Sequence, residues 1–159
     1  MAKPPGPDLQ NAPLIGARIK PACFEAYLLS ADGEDPVVVS LSVTVDEDVT
    51  TSQYTILDGS LAGLRAAPGT HWAVAGGLFD FSGRVALSIN AVLSGSASPQ
   101  PFVALGATVF ESPDTWIGTY ALRVQGPGGG DTGTVRVRFM GWSECNFLHP
   151  PPGDPDTTT

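Results

Sequence analysis

Histidine, cysteine and charge are all scarce in this sequence, and each scarcity removes a class of chemistry. There are two histidines, His71 and His149. His149 lies in a proline-rich tail, where nothing rigid orients it as a base, and His71 follows a Pro-Gly-Thr turn. A general base needs fixed geometry before it needs a pKa, so neither histidine is expected to serve. The run Gly59-Ser60-Leu61-Ala62-Gly63 has the glycines of a nucleophile elbow, but its serine stands one place early. Two cysteines and two histidines at 23, 71, 145 and 149 do not have zinc-site spacing. Cys23 and Cys145 read as small buried hydrophobes, although they flank the folded region and are candidates to be neighbours. The sequence therefore predicts no enzyme, no catalytic residue, no metal site and no cofactor.

Charged residues make up only 15% of the chain, and acids outnumber bases by sixteen to eight, for a net charge of −8. Such a surface repels nucleic acid and anionic lipid. The first 21 residues hold Lys3, Arg18 and Lys20 against Asp8, a local excess of basic charge on an otherwise acidic chain. No apolar run approaches the ~20 residues of a membrane-spanning helix, and residues 1–21 lack the apolar centre of a signal peptide. The expected location is a virion surface if the protein is viral, and otherwise solution.

Glycine (19) and proline (15) are abundant, which disfavours long helices. Nine of the fifteen prolines lie in residues 1–21 and 149–159. Proline fixes φ and removes a backbone donor, so both ends are expected to be extended arms. An N-terminal arm of this length reaches roughly 60–70 Å when stretched. Residues 22–148 form the expected domain between the arms.

Inside that domain the hydrophobic period is two. Residues 37–45 alternate Val37, Val39, Leu41, Val43 and Val45 with a mainly hydroxyl-bearing face, the pattern of a half-buried strand. Residues 84–93 and 134–141 repeat it, and weaker strands are expected at 23–29, 53–57, 102–110 and 117–124. Residues 72–81 are interrupted by Gly76-Gly77, which predicts a bulge, a bend or two short strands. Only residues 60–67 have helical composition. Turn signals recur every 8–12 residues or so, the spacing of sandwiches and barrels. The fold class is all-β: one antiparallel β-sandwich, jelly-roll-like, or a small barrel of about eight strands, with Pro-rich N- and C-terminal arms.

Three groups of residues are candidates for contact with partners. The first is the arm itself, with Pro4, Pro5, Pro7, Arg18 and Lys20. The second is a stripe of Arg123, Arg136 and Arg138 on the outward faces of two strands joined by residues 126–133. That stripe either pairs with acids across strands or docks an acidic neighbour. The third is the set of tryptophans Trp72, Trp116 and Trp142, either sugar-binding platforms or closures of the core. The acidic clusters at Asp32, Glu34, Asp35 and at Asp46, Glu47, Asp48 flank one strand and stand roughly 30 Å apart, so they are expected to be solvated turns and not a shared calcium site.

Two arms around a compact β-domain, with no catalytic set, predict a structural protein of a larger assembly. The closest architectural analogy is a capsid decoration or cement protein of a virus or phage, with other structural proteins and further copies of itself as partners, and without nucleic acid or membrane. The alternative is a glycan- or receptor-binding β-sandwich module of the host-attachment type.

Overall fold

A computed structural model describes residues 18–33, 35–96, 100–124 and 130–145. They form eight strands: β1 (Ile19–Ser30), β2 (Val37–Asp48), β3 (Gln53–Ala62), β4 (His71–Asp80), β5 (Leu87–Ser94), β6 (Phe102–Ser112), β7 (Thr115–Arg123) and β8 (Gly130–Gly141). Each strand pairs antiparallel with the next, and β8 pairs back to β1, so the sheet closes into an up-and-down barrel. Of the two architectures the sequence allows, this is the barrel. The strand order is strictly consecutive, so the Greek-key crossovers of a jelly roll are not present.

The period of two decides which side chains fill the barrel. Ala22, Phe24, Ala26 and Leu28 of β1 point inward with Val39, Leu41, Val43 and Val45 of β2, and all eight are buried. Leu87, Ile89, Ala91 and Leu93 of β5 and Val135 and Val137 of β8 complete the same pattern. Bulky Phe24, Phe79 and Trp116 lie beside small Ala22, Ala91 and Ala107 in one continuous cluster. An eight-stranded barrel is just wide enough for its own side chains to fill it, and these do.

The Gly76-Gly77 interruption is a register shift between Val74 and Gly76 within the single strand β4. Glycine is required at 77, where a Cβ would overlap the Ser88 carbonyl oxygen. Residues 60–67 are not helical: β3 runs to Ala62 and a bend follows. The strand expected from Arg84 begins at Leu87 instead, because Asp80 organises residues 82–85 into a turn. Its carboxylate accepts from the Ser82 and Gly83 amides at 3.2 and 3.0 Å and from the Ser82 hydroxyl at 2.8 Å.

The N-terminal boundary also moves. β1 begins at Ile19, so Lys20 and Pro21 belong to the barrel and not to the arm. Pro21 pairs with Thr44 of β2 before pairing with β8 begins at Cys23, an edge-like stretch where proline is tolerated. Pro4, Pro5, Pro7 and the tail from 149 lie outside the described residues. Among the described residues no helix is long and apolar enough to cross a membrane.

Candidate functional site

An even number of antiparallel strands returns the chain to the end at which it started. The start of β1 and the finish of β8 therefore share one rim, called the entry rim here. The β2–β3, β4–β5 and β6–β7 turns lie on the same rim, and the other four connections lie on the far rim. Both segments outside the barrel, 1–17 and 146–159, join it at the entry rim.

A disulfide fixes that junction. Cys23 of β1 is bonded to Cys145, with Cα atoms 4.9 Å apart. The expectation of two free buried thiols is thus overturned. Closure of the barrel places the first strand beside the last, and Gly141, at φ +149°, redirects the chain as it leaves β8. The Cys145 amide then donates to Ser42 Oγ at 3.1 Å. Ser42 is the direct cross-strand partner of Cys23, so residues 143–145 are stapled over β1 and β2 just below the rim.

Aromatic rings plug the barrel at this end. Tyr54 stacks on Phe79 at 5.0 Å, with ring planes 13° apart. Trp142 lies 4.8 Å from Phe139 and 5.1 Å from Tyr54. Lys20 Nζ stands 4.0 Å over the Trp142 ring and pairs with Glu47 at 3.1 Å. Burial raises the Tyr54 pKa above that of an ordinary phenol, and the charge of Glu47 and a hydrogen bond to it act in the same direction. A lysine expected to be an arm contact is therefore held by an ion pair and a ring, and it closes the mouth of the barrel.

The three tryptophans separate. Trp72 is buried near the far rim, its indole N–H donating to the Arg65 carbonyl at 3.0 Å. Trp116 is 1% exposed and sits among Phe24, Phe79, Phe81 and Phe110. Only Trp142 shows a face, at 39% exposure, and Lys20 lies over the ring. They do not form a common platform.

The arginine stripe separates as well. Arg136 is paired across β7 with Ile117 and Arg138 with Thr115, whereas Arg123 is opposite Gly130. Arg123 lies six residues along β7 from Ile117, about 20 Å away. Arg136 reaches Glu111 at 3.8 Å and Arg138 reaches Asp114 at 3.9 Å, while Arg123 lies 5.8 Å over the Phe102 ring. Each of Arg136 and Arg138 thus has an acid nearby, Glu111 on β6 and Asp114 in the β6–β7 turn, although neither acid lies on a strand that pairs with β8.

Two members of the second acidic cluster have local partners, while Glu34 of the first lies outside the described residues. Asp48 accepts from the Thr50 amide at 2.9 Å and shapes the β2–β3 turn, and Glu47 is taken by Lys20. Among the described residues no three His, Cys, Asp or Glu side chains are placed to hold a metal ion. At the far rim, Asp131 accepts from Tyr120 at 2.5 Å and from Ser30 Oγ at 2.7 Å. Those bonds hold its carboxyl below the usual carboxylate range.

A further feature of the outer wall leaves only a faint trace in the sequence. Val38, Tyr27, Arg136, Ile117 and Val109 are successive cross-strand partners on β2, β1, β8, β7 and β6. Four of these five neighbouring side chains are apolar, and Val38, Tyr27 and Val109 are 49%, 47% and 55% exposed. The signal was present at residue 38, where a valine replaces the hydroxyl-bearing residues of the outward face of its strand. Comparison with known proteins finds no matching family model, no similar curated protein and no similar solved structure.

Proposed function

We propose that the protein is a non-enzymatic structural component of a larger assembly, of the kind that decorates or cements the surface of a virus or phage particle. The observation that carries this reading is the shared root of the two proline-rich segments. Both join the barrel at one rim, and the Cys23–Cys145 bond ties the strand that continues one segment to the residue that precedes the other. A tether that transmits load needs a rigid anchor, and a closed, filled barrel with a covalent staple is one. Strand closure also means that partners do not join by extending a sheet edge, which leaves the two segments and the outer wall as contact surfaces. Proline reduces the entropy lost when such a segment is ordered against a neighbour.

The alternative, a glycan- or receptor-binding module, is supported by Trp142 alone, since Trp72 and Trp116 are buried. The deciding experiment is size determination of the full chain beside a chain lacking residues 1–17, together with mass analysis of any particle that co-purifies. Many copies per particle, lost on truncation, support the proposal. A strictly monomeric protein, unchanged by truncation and bound to no particle, overturns it.

A further inference from the structure

The outer wall carries a groove whose chemistry suits a proline-rich, apolar segment. It encloses about 670 Å³ across β1, β8 and β7. Tyr27, Leu29 and Ile117 contribute most of its apolar surface, and it is bordered by charges of both signs, Glu25, Glu111 and Asp114 with Arg136 and Arg138. Tyr27 and Leu29 are 47% and 43% exposed. The cross-strand row extends this surface to Val38 on one side and Val109 on the other. Proline-rich segments are commonly read by aromatic-lined grooves, because little further entropy is lost when a preformed polyproline helix docks.

We infer that this groove receives residues 1–17 of a second copy of the chain. The inference rests on the arm-mediated assembly proposed above and names the surface that the arm grips. Residues 1–17 hold Pro4, Pro5, Pro7 and Pro13 together with Leu9, Leu14 and Ile15, and only Lys3 and Asp8 are charged. That is the composition of a segment with apolar surface to bury. Seventeen residues span up to about 55–60 Å, whereas a twelve-residue strand covers roughly 40 Å, so the segment outreaches its own barrel. It begins at the entry rim above β1. The direct path from there down the outer face of β1 and β2 is occupied at Cys23 and Ser42 by the stapled Cys145. An arm from a second copy is not confined to that approach and can enter the groove from the end away from the staple.

The test uses full-length chains in sedimentation velocity over a range of concentrations. Leu14→Asp/Ile15→Asp alters the arm, Tyr27→Ser alters the groove, and Tyr27→Phe keeps the ring. The unaltered chain and Tyr27→Phe are expected to associate. The arm and groove variants are each expected to associate at least tenfold more weakly, and mixing them should restore one-to-one pairs, because one partner brings an intact arm and the other an intact groove. Val109→Asp, at a position already 55% exposed, is the second groove variant if Tyr27→Ser does not fold. Association that needs the arm but ignores both groove variants overturns this inference and leaves the proposed function standing. Association indifferent to the arm overturns both. A monomeric unaltered chain, or variants that do not complement on mixing, places the arm on its own barrel or on nothing and also overturns the inference.

Discussion

Cys23 and Cys145 join the first strand of the barrel to the segment that follows the last one, and so close a loop spanning 122 residues of sequence. Nearly all of the barrel lies within that loop.

In the chain-entropy account, a cross-link across a loop of this length stabilises the fold by about 4–5 kcal/mol, with 2–5 kcal/mol the usual cost of losing a native bond. Cys145→Ser, or reduction of the unaltered protein, is therefore expected to lower the urea midpoint markedly. Denaturation with and without reductant checks this. Equal midpoints for the two forms mean that the bond adds nothing to the barrel. Loss of the staple should also free residues 143–145 from Ser42, which limited proteolysis after position 141 reads directly.

Lys20, placed over Trp142 and against Glu47, makes a prediction about fluorescence. Trp142 is 39% exposed while Trp72 and Trp116 are 3% and 1% exposed. A soluble quencher should therefore reach one tryptophan class in three. Lys20→Ser should make that class more accessible and cost about 1 kcal/mol or less in stability, the scale of a partly exposed cation–π contact and ion pair. Quenching curves of Lys20→Ser and Trp142→Phe together identify the class: the accessible component should vanish in the second variant.

How much of this was legible in the sequence follows from the range of each interaction. Strand β2 is readable because Val39, Leu41, Val43 and Val45 alternate within a single segment, and β8 is readable for the same reason at Val135 and Val137. Barrel and sandwich remained open because they differ in whether β1 pairs with β8, a contact between the two ends of the chain that leaves no local trace. The disulfide was hidden by the same gap, since Cys23 and Cys145 become neighbours only after closure. Arg123, Arg136 and Arg138 lie on adjacent strands, β7 and β8, but register decides proximity along a ladder. Pro21 makes Lys20 read as part of the arm, although that proline occupies a stretch of β1 paired with β2 alone.

Gly118 tests how tightly the barrel closes. It is opposite Ala107, and a Cβ there would overlap the Gly106 carbonyl oxygen and crowd the Ala107 backbone. Gly118→Ala must push β6 and β7 apart next to a register shift at Ala107/Val109. Overpacking of this kind costs about 1–3 kcal/mol. Gly106→Ala, where a Cβ meets nothing within 4 Å, is the matched control and should be close to neutral. A thermal melt of the pair gives the comparison, and equal midpoints contradict the packing argument.

Asp80 and Asp131 set the acid limit of the fold. Burial alone would raise the Asp80 pKa, but hydrogen bonds from Ser82, Gly83 and Val85 outweigh it and leave the carboxyl below its ordinary value. Asp131 is lowered by its bonds from Tyr120 and Ser30. A carboxyl whose folded pKa lies below its unfolded value, near 3.9, contributes stability that is present above the unfolded pKa. That contribution fades as the pH falls from the unfolded pKa through the folded one. The denaturation midpoint should therefore hold steady from pH 7 down to about 5 and decline below about 4. Asp80→Asn keeps the shape but removes the charged acceptor at the β4–β5 turn, so it should lower stability at pH 7 and flatten the acid limb. Tyr54 acts at the other limit: its raised pKa contributes stability below the ordinary phenol range, which is lost as the pH climbs through the folded value. Urea melts of the unaltered chain, Asp80→Asn and Tyr54→Phe from pH 3 to 11 separate these contributions. An acid limb as steep in Asp80→Asn as in the unaltered chain removes Asp80 from the account.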